Sequence, residues 1–187
     1  MENINGLVYI DDFITEIEQD NLINWIDNLN WLDDLKRRVQ HYGYKYDYKK
    51  RKIDASMKVE KLPIWAENIA QKIVDQKLMP YLPDQLIINE YEAGQGISAH
   101  IDCEPCFEDT ILSLSLMSGC VMNFIQKNDK NIIFPVYLKP KSIVVLSAEA
   151  RYEWLHEIKP KKTDEYQNQK ISRSRRISLT FRKVVLT

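Results

Sequence analysis

The segment GISAHIDCEPCFEDTILSLSL, residues 96–116, decides the fold of this chain and points to its chemistry. Its second half alternates: Leu112, Leu114 and Leu116 fall on one side of an extended backbone, and Ser113 and Ser115 fall on the other. This alternation predicts a strand of an antiparallel sheet with one apolar face and one face of small polar side chains. A face of the second kind can line a pocket.

Helical periodicity precedes this segment and strand periodicity follows it. The spacing of apolar residues predicts a helix over about 15–29, whose core-facing stripe is Ile14, Ile17, Leu22, Trp25, Ile26 and Leu29. A second helix is predicted to begin at Pro63 and to end before Pro80. After Pro83 the predicted strands are QLIINEY, TILSLSLMS, CVMNFIQ, IIFPVYL, SIVVLSA, RYEWLHEI and ISLTFRKVVL. This order favours an α+β fold, a sandwich or jelly roll buttressed by N-terminal helices.

Composition is that of an ordinary globular protein. The 187 residues are 44% hydrophobic, and no repeat or low-complexity linker divides them, so one domain over 1–187 is expected. The start MENINGLVYI lacks the basic and apolar regions of a signal peptide, and no window has the apolar length of a membrane span. We therefore expect a cytoplasmic or nuclear protein that does not associate with membranes.

Three cysteines, Cys103, Cys106 and Cys120, are an odd number for a disulfide framework. Cys103 and Cys106 form a C-x-x-C pair, but a structural zinc site needs further ligands and no second pair exists. In a chain expected in a reducing compartment, this pattern predicts reduced thiols with a packing role.

The formal net charge of -1 hides a strong asymmetry along the chain. Residues 1–35 contain acidic residues but no lysine or arginine. Two basic runs follow, one over 36–52 and one over 159–176. If the two runs meet in space, they give the molecule one positive face suited to phosphate groups; if they do not, they are solvated loops.

His100 and Asp102 form a His-x-Asp pair at the mouth of a predicted strand. Such a pair is weak evidence alone, since it is usually a surface hydrogen bond. A third candidate, His156, lies in a late aromatic strand, although it can equally be a half-buried histidine packed beside Trp154. Two histidines and one carboxylate on one face of a metal form the facial triad of non-haem Fe(II) oxygenases.

Arg176 and Arg182 have even spacing in RRISLTFRK, residues 175–183, so both side chains face the same way. An arginine that faces the interior needs an anionic partner, which a dicarboxylate cosubstrate would supply. The alternative is an edge strand with Arg182 paired to an acidic side chain. Asn89 and Tyr91 in INEY alternate onto one face as further donors.

Together these motifs resemble the AlkB family of Fe(II)- and 2-oxoglutarate-dependent dioxygenases, whose fold is a double-stranded β-helix. The likeness covers the chain from about residue 7 to its end. It is strongest to the tRNA wobble-uridine hydroxylase branch, through RRVQHYGYKYDY, LPDQLIINEYEAGQGISAHID, FEDTILSLSL and RYEWLHEI.

The resemblance implies a role for each matching residue. It implies Fe(II) and 2-oxoglutarate as cofactor and cosubstrate. Arg176 would pair with the distal carboxylate of 2-oxoglutarate, and Arg182 would support the inner end of the cosubstrate and the Asp102 carboxylate. Where many members have an asparagine this chain has Ser178, so a cosubstrate contact there is left open. The implied iron ligands are His100, Asp102 and His156, and the further cosubstrate donors are Asn89 and Tyr91.

The tyrosine-rich basic insert RRVQHYGYKYDYKKRK, residues 37–52, is the candidate substrate contact. Aromatic rings can stack on an unpaired base while basic groups hold phosphates. The alternative is an exposed β-hairpin with ordinary tyrosine packing. The candidate residues are Arg37, Arg38, His41, Tyr44, Tyr46, Lys49 and Lys50.

Several functions fit this residue set. The favoured one is hydroxylation of a wobble uridine side chain in tRNA by a monomeric enzyme. The second is oxidative demethylation of N-methylated bases in DNA or RNA, which uses the same catalytic residues. A protein hydroxylase or a binding module without activity is less favoured, since all three candidate iron ligands are present.

Overall fold

The computed structural model describes residues 4–33, 36–47 and 52–186. Within these ranges the chain forms three α-helices and twelve β-strands. The helices are α1 (Glu16–Asp27), α2 (Ile64–Asp75) and α3 (Ala148–Tyr152). The strands are β1 (Leu7–Ile10), β2 (Val39–Tyr42), β3 (Gln85–Tyr91), β4 (Ile97–His100), β5 (Ile111–Met117), β6 (Cys120–Gln126), β7 (Ile133–Leu138), β8 (Ile143–Leu146), β9 (Trp154–Ile158), β10 (Thr163–Tyr166), β11 (Gln169–Ser172) and β12 (Arg176–Arg182).

Two antiparallel sheets make up the body of the molecule. The major sheet has six strands in the order β1-β8-β5-β12-β3-β2, and the minor sheet has four in the order β4-β9-β6-β7. Strands β10 and β11 form a separate hairpin. This arrangement confirms the predicted jelly-roll type of fold. None of the helices in the described ranges is long and apolar enough to cross a membrane.

The helices cover the apolar face of the major sheet, as predicted. Leu112, Leu114 and Leu116 of β5 are fully buried in one cluster with Ile26 of α1 and Ile73 of α2. Helix α1 begins with a capping box, in which Thr15 and Glu18 each satisfy the other's backbone N–H group. Both predicted helices are therefore present, and packing against the sheet adds to their local stability.

The inward stripe of α1 is narrower than predicted. Ile17 is 74% exposed, and Trp25 and Leu29 also lie largely in solvent. Gln19 takes an inward position instead and accepts a hydrogen bond from the backbone N–H of Met117. The sheet and its neighbours therefore cover only part of the apolar stripe of α1.

The predicted strand over residues 151–158 is wrong in its first part. Ala148–Tyr152 forms the short helix α3, and the strand begins at Trp154. Beta-rich composition did not reveal this turn of helix, because a five-residue segment is too short to show a helical period.

Register on the major sheet brings the polar positions of three strands side by side. Ser178 of β12 lies opposite Ser115 of β5 and opposite Asn89 of β3. Since alternate residues of a strand face the same way, the polar side chains of these central strands gather on the face away from the helices. That face looks toward the minor sheet.

A charged network ties α1, β3 and the start of β12 together on the helix side. Glu90 is 4% exposed and accepts hydrogen bonds from both Arg38 and Arg175. Arg175 also pairs with Asp27 at the end of α1. Hydrogen bonding to Arg38 lowers the pKa of Glu90 below its ordinary value of 4.5, against the effect of burial.

We predict that Glu90→Gln lowers the free energy of unfolding by about 1–2 kcal/mol at pH 7. The loss is smaller than for a fully enclosed pair because the Arg38 side chain is 46% exposed. Because the folded-state pKa is lowered, this stabilisation is present above the ordinary pKa of 4.5 and is lost as pH falls through the folded-state pKa. Urea unfolding should therefore show a smaller difference in the free energy of unfolding between the wild type and Glu90→Gln at pH 4 than at pH 7. Asp11→Asn, which breaks an exposed pair with Lys139, is the control and should cost much less. An equal cost for both substitutions would contradict the role of burial.

Candidate active site

A cavity of about 540 Å³ lies between the polar face of the major sheet and the minor sheet. This volume is within the range of small-molecule sites. Its wall carries both polar and apolar side chains. The lining includes Asn89, Tyr91, Ser113, Ser178, Thr180, Arg176 and Arg182 from the major sheet, with His100, Asp102, Met122, His156 and Ile158 on and beside the minor sheet.

Three potential metal ligands meet at this cavity. His100 of β4 and His156 of β9 are direct cross-strand partners, and their rings lie 4.3 Å apart between centroids. Asp102 follows β4 by two residues, and its Oδ1 lies 3.9 Å from Nε2 of His100. One ligand atom from each of the three residues lies within 4.8 Å of the others. The pairing of β4 with β9 thus brings His156 close to His100 and Asp102, although the two lie at least 54 positions earlier in the chain.

The local contacts suit metal binding. Nδ1 of His100 is 2.7 Å from the carbonyl oxygen of Ser98, and donation of the Nδ1 proton to that oxygen leaves the Nε2 lone pair toward Asp102. Nδ1 of His156 is buried without a hydrogen-bond partner among the described residues. A buried ring nitrogen without a partner is unfavourable unless a ligand or ion satisfies it.

The electrostatics favour the protonation states that a metal ion requires. Burial raises the pKa of Asp102, but the nearby charge of Arg182 and the two histidines outweigh it, so the pKa lies well below its ordinary value. Burial, together with His100, lowers the pKa of His156 to about 3. A carboxylate and a neutral imidazole are the forms that coordinate metals.

Two arginines hold the Asp102 segment from different sides. Nη2 of Arg182 donates to Oδ1 of Asp102 at 3.1 Å. Arg151 of α3, which is 2% exposed, donates to the carbonyl oxygens of Asp102 at 3.0 Å and of Cys103 at 3.2 Å. One arginine therefore fixes the carboxylate and the other fixes the backbone that carries it.

Sequence reasoning missed Arg151. It is the first residue of the predicted strand RYEWLHEI, and no spacing relates it to Asp102. Its role depends on the packing of α3 under the end of β4, which is a tertiary contact.

The expectation of reduced thiols at Cys103 and Cys106 is wrong for this structure, where the two form a disulfide. The 3-10 turn Glu104–Cys106 brings their Cα atoms to 5.3 Å, which is within the usual range for a disulfide. Cys120 is buried and free, as predicted. The disulfide closes the loop directly after Asp102.

The opposite part of the cavity can receive an anion. Arg176 is 3% exposed, and its Nη2 donates to the hydroxyl of Ser115 at 2.8 Å. Its Nε, like that of Arg182, is buried without a hydrogen-bond partner among the described residues. Buried guanidinium N–H groups that lack an acceptor are costly, and a carboxylate satisfies them. The Ser178 hydroxyl also belongs to the lining, and it lies 2.9 Å from that of Ser113.

Asn89 and Tyr91 project from β3 into the same space. Burial raises the pKa of Tyr91, so its phenol keeps its proton and remains a hydrogen-bond donor. Arg37 also reaches this point: its Nε donates to Oδ1 of Asn89 at 2.8 Å, and its guanidinium lies 5.3 Å from the centre of the Tyr91 ring.

The other candidate substrate residues are placed differently. Tyr46 lines the cavity, with its ring 5.8 Å from that of Phe107. Arg38 pairs with Glu90 on the helix side, while Tyr44 packs against the cluster around the disulfide. His41 is half-buried on β2, opposite Ile87. Lys49 and Lys50 lie outside the described residues.

The sequence of this chain is similar to those of known proteins. Residues 27–182 match the model of the 2OG-Fe(II) oxygenase superfamily. A protein of Arabidopsis thaliana described as an alkylated DNA repair protein ALKBH8 homolog is 38% identical over 97% of this chain and 59% of its own length. A protein of Xenopus tropicalis described as tRNA (carboxymethyluridine(34)-5-O)-methyltransferase alkbh8 is 36% identical over 96% of this chain.

The chain spans only part of these relatives, including 32% of the Xenopus protein. Among solved structures, OsALKBH1 superposes with a TM-score of 0.77 over 95% of this chain and 96% of its own. Its sequence identity of 16% makes this a likeness of fold. The family model covers most of the chain and both relatives match almost all of it. This chain therefore belongs to the AlkB family of the 2OG-Fe(II) oxygenase superfamily, the dioxygenases that use Fe(II) and 2-oxoglutarate.

Proposed function

We propose that this dioxygenase oxidises a modified nucleobase, and that its substrate is the side chain of a wobble uridine in tRNA. The observation that carries the proposal is one cavity that joins the His100–Asp102–His156 group to buried arginine N–H groups without acceptors. The name of the Xenopus relative refers to carboxymethyluridine 34 of tRNA, which supports this choice of substrate.

In this proposal His100, Asp102 and His156 are the iron ligands. Arg176 holds the distal carboxylate of 2-oxoglutarate, and the phenol of Tyr91 and amide of Asn89 give further hydrogen bonds. Arg182 keeps Asp102 ionised and oriented. When bound, Fe(II) supplies the activation of dioxygen at ligand positions that the protein leaves open.

The residues at the entrance would receive the base. Tyr46 lines the cavity near Phe107, where an aromatic ring can stack on an extruded base. Arg37 lines the cavity and donates a hydrogen bond to Asn89, so it can contact both the base and the cosubstrate. Phosphate contacts by Lys49 and Lys50 remain part of the proposal. We further infer a monomeric single domain in the cytoplasm or nucleus.

Demethylation of N-methylated bases is the second candidate, since the name of the Arabidopsis relative refers to repair of alkylated DNA. Both reactions place oxygen on a carbon of the base. An alcohol on a carbon side chain persists, whereas an N-hydroxymethyl group is lost as formaldehyde. The catalytic residues are the same for both, so only the substrate separates them.

The proposed function predicts the gain of one oxygen on 5-methoxycarbonylmethyluridine in tRNA incubated with the protein, Fe(II), 2-oxoglutarate and ascorbate. His156→Ala should abolish this gain, because two ligands hold the metal poorly. Nucleoside mass spectrometry measures both results. Loss of methyl groups from N-methylated bases in the same pool, without change at the uridine, would instead support demethylation. No change in any nucleoside would contradict a nucleic-acid substrate.

Arg176→Lys is expected to raise the KM for 2-oxoglutarate about 10–100-fold, since a lysine cannot pair with a carboxylate through two parallel hydrogen bonds. Succinate formation at graded 2-oxoglutarate concentrations gives the KM. Iron affinity, measured by equilibrium dialysis, should stay at the wild-type value, because Arg176 does not contact the three ligands. An unchanged KM would remove Arg176 from the cosubstrate site.

Arg151→Met is expected to weaken iron binding about 10-fold, the lower end of the effect of residues that orient metal ligands. Arg151→Lys should restore part of the affinity, because one ammonium can still donate to the carbonyl of Asp102. The unfolding midpoint of each variant separates this effect from loss of fold. Equal iron affinity in both variants and the wild type would assign Arg151 a purely structural role.

A further inference from the structure

The loop between β3 and β4 joins the two basic runs of the sequence. The side-chain amide of Gln95 donates to the backbone carbonyl of Lys36 at 3.0 Å. One residue earlier, the backbone N–H of Gly94 donates to the carbonyl of Lys161 at 3.1 Å. Lys36 belongs to the first basic run and Lys161 to the second, so the two runs lie on either side of this loop.

A glycine makes this approach possible. A Cβ atom on Gly96 would lie 2.1 Å from the carbonyl oxygen of Ile158 and 2.9 Å from the nitrogen of Pro160. Any side chain at this position would force the loop away from the segment after β9. A Cβ on Gly94 would likewise lie 3.7 Å from Cγ of Lys162, so the stem of that lysine runs alongside the loop.

This junction forms one edge of the cavity. Lys36, Arg37, Gly96 and Ile158 all belong to the cavity lining. Lys161, whose carbonyl accepts the hydrogen bond from Gly94, and Lys162 are exposed. We define the basic ridge as Lys36, Lys161 and Lys162, which lie beside the entrance to the candidate active site.

The arginines of the second run are engaged inside the protein, while its lysines face solvent. Arg173 forms a buried pair with Asp164, and Arg175 pairs with Glu90 and Asp27. Arg176 faces the cavity. The positive charge that remains at the surface therefore comes from lysine side chains.

The three ridge lysines make no ion pair with any residue in the described ranges. Lys159 differs from them, because its Nζ lies 3.8 Å from Oε1 of Glu157. Of the acidic residues close in sequence to the junction, Glu92 is exposed on the β3–β4 loop, Asp33 and Asp34 precede Lys36, and Asp164 is already paired with Arg173. The ridge thus has excess positive charge that an anionic partner can neutralise.

The backbone of the ridge is held in place. Arg173 donates from Nη1 to the carbonyl of Lys159, and its backbone N–H donates to the carbonyl of Lys162. Asp164, the partner of Arg173, accepts the backbone N–H of Val121 in β6. A charged surface that is already ordered loses less entropy when it binds.

We propose that the basic ridge binds the phosphodiester backbone of a nucleic acid, next to the nucleotide whose base enters the cavity. The inference rests on the proposed function and adds the surface that holds the polymer. RNA and single-stranded DNA share this chemistry. Positive charge beside a base-sized cavity fits a strand whose backbone runs along the entrance while one nucleotide turns inward.

The test compares Lys161→Gln/Lys162→Gln with Lys77→Gln/Lys130→Gln. Both double variants remove two exposed lysines that make no ion pair with described residues, but Lys77 lies at the end of α2 and Lys130 in the β6–β7 turn. Fluorescence anisotropy with labelled tRNA and with single-stranded DNA, over a range of salt concentrations, gives the Kd and its salt dependence. Succinate formation in the absence of nucleic acid reports whether the active site is intact.

We expect the ridge variant to bind about 10- to 30-fold more weakly at 0.1 M salt. Its slope of log Kd against log salt should fall by about 1.4, for two phosphate contacts of about 0.7 each. The control variant should bind like the wild type, and succinate formation should be unchanged in both. Tighter binding of tRNA or of DNA identifies which polymer the ridge holds, and either result supports the inference that the ridge binds a phosphodiester backbone.

Three outcomes would overturn the inference. If the wild type oxidises a base in tRNA but both variants bind equally well, the ridge is not the phosphate site and the proposed function stands. If polyglutamate competes as strongly as RNA of equal charge, the ridge fits an acidic protein instead. If the wild type binds no nucleic acid and oxidises no base, the ridge and the proposed function fail together.

Discussion

The buried carboxylate of Asp102 is the constraint around which the candidate active site is built. A carboxylate removed from water is unfavourable unless positive charge and hydrogen bonds surround it. Arg182 supplies one such partner, and the two histidines place their ring nitrogens beside it. The carboxylate and its neighbours together form a site that a divalent metal ion would complete.

Strand β12 supplies both charged ends of the cavity. Arg176 and Arg182 are six residues apart on one strand, so they share a face and their Cα atoms lie about 20 Å apart at the usual rise per residue. One guanidinium can therefore hold the metal-ligand end while the other holds an anion at the far end. The central position of β12, between β5 and β3, gives both side chains a rigid base.

Features that depend on strand parity could be predicted from the sequence. The inward direction of Ser113, Asn89 and Arg176 follows from alternation, because it is a local property of an extended backbone. The approach of His100 to His156 was predicted only by matching residue types to a known chemistry. The sheet register now accounts for it, since the two residues are direct cross-strand partners.

Features that depend on packing between distant segments could not be predicted. Arg151 acts on a backbone 48 or 49 residues away, and no local pattern records such a contact. The exposure of Ile17 depends on where α1 meets the sheet. The disulfide at Cys103 required the turn at 104–106, while odd cysteine number argued against it.

The location of Arg37 has a consequence for substrate choice. Its guanidinium contacts Asn89 and Tyr91, the proposed cosubstrate donors, and it lines the cavity that a base would enter in the proposed function. Hydroxylation and demethylation place identical demands on the proposed iron ligands and on the proposed role of Arg176, so those residues cannot select between substrates. Selection must come from groups that touch the base. Because Arg37 contacts Asn89 and Tyr91 and also lines the cavity, the proposed function implies that a change in the base would alter how these two side chains are held.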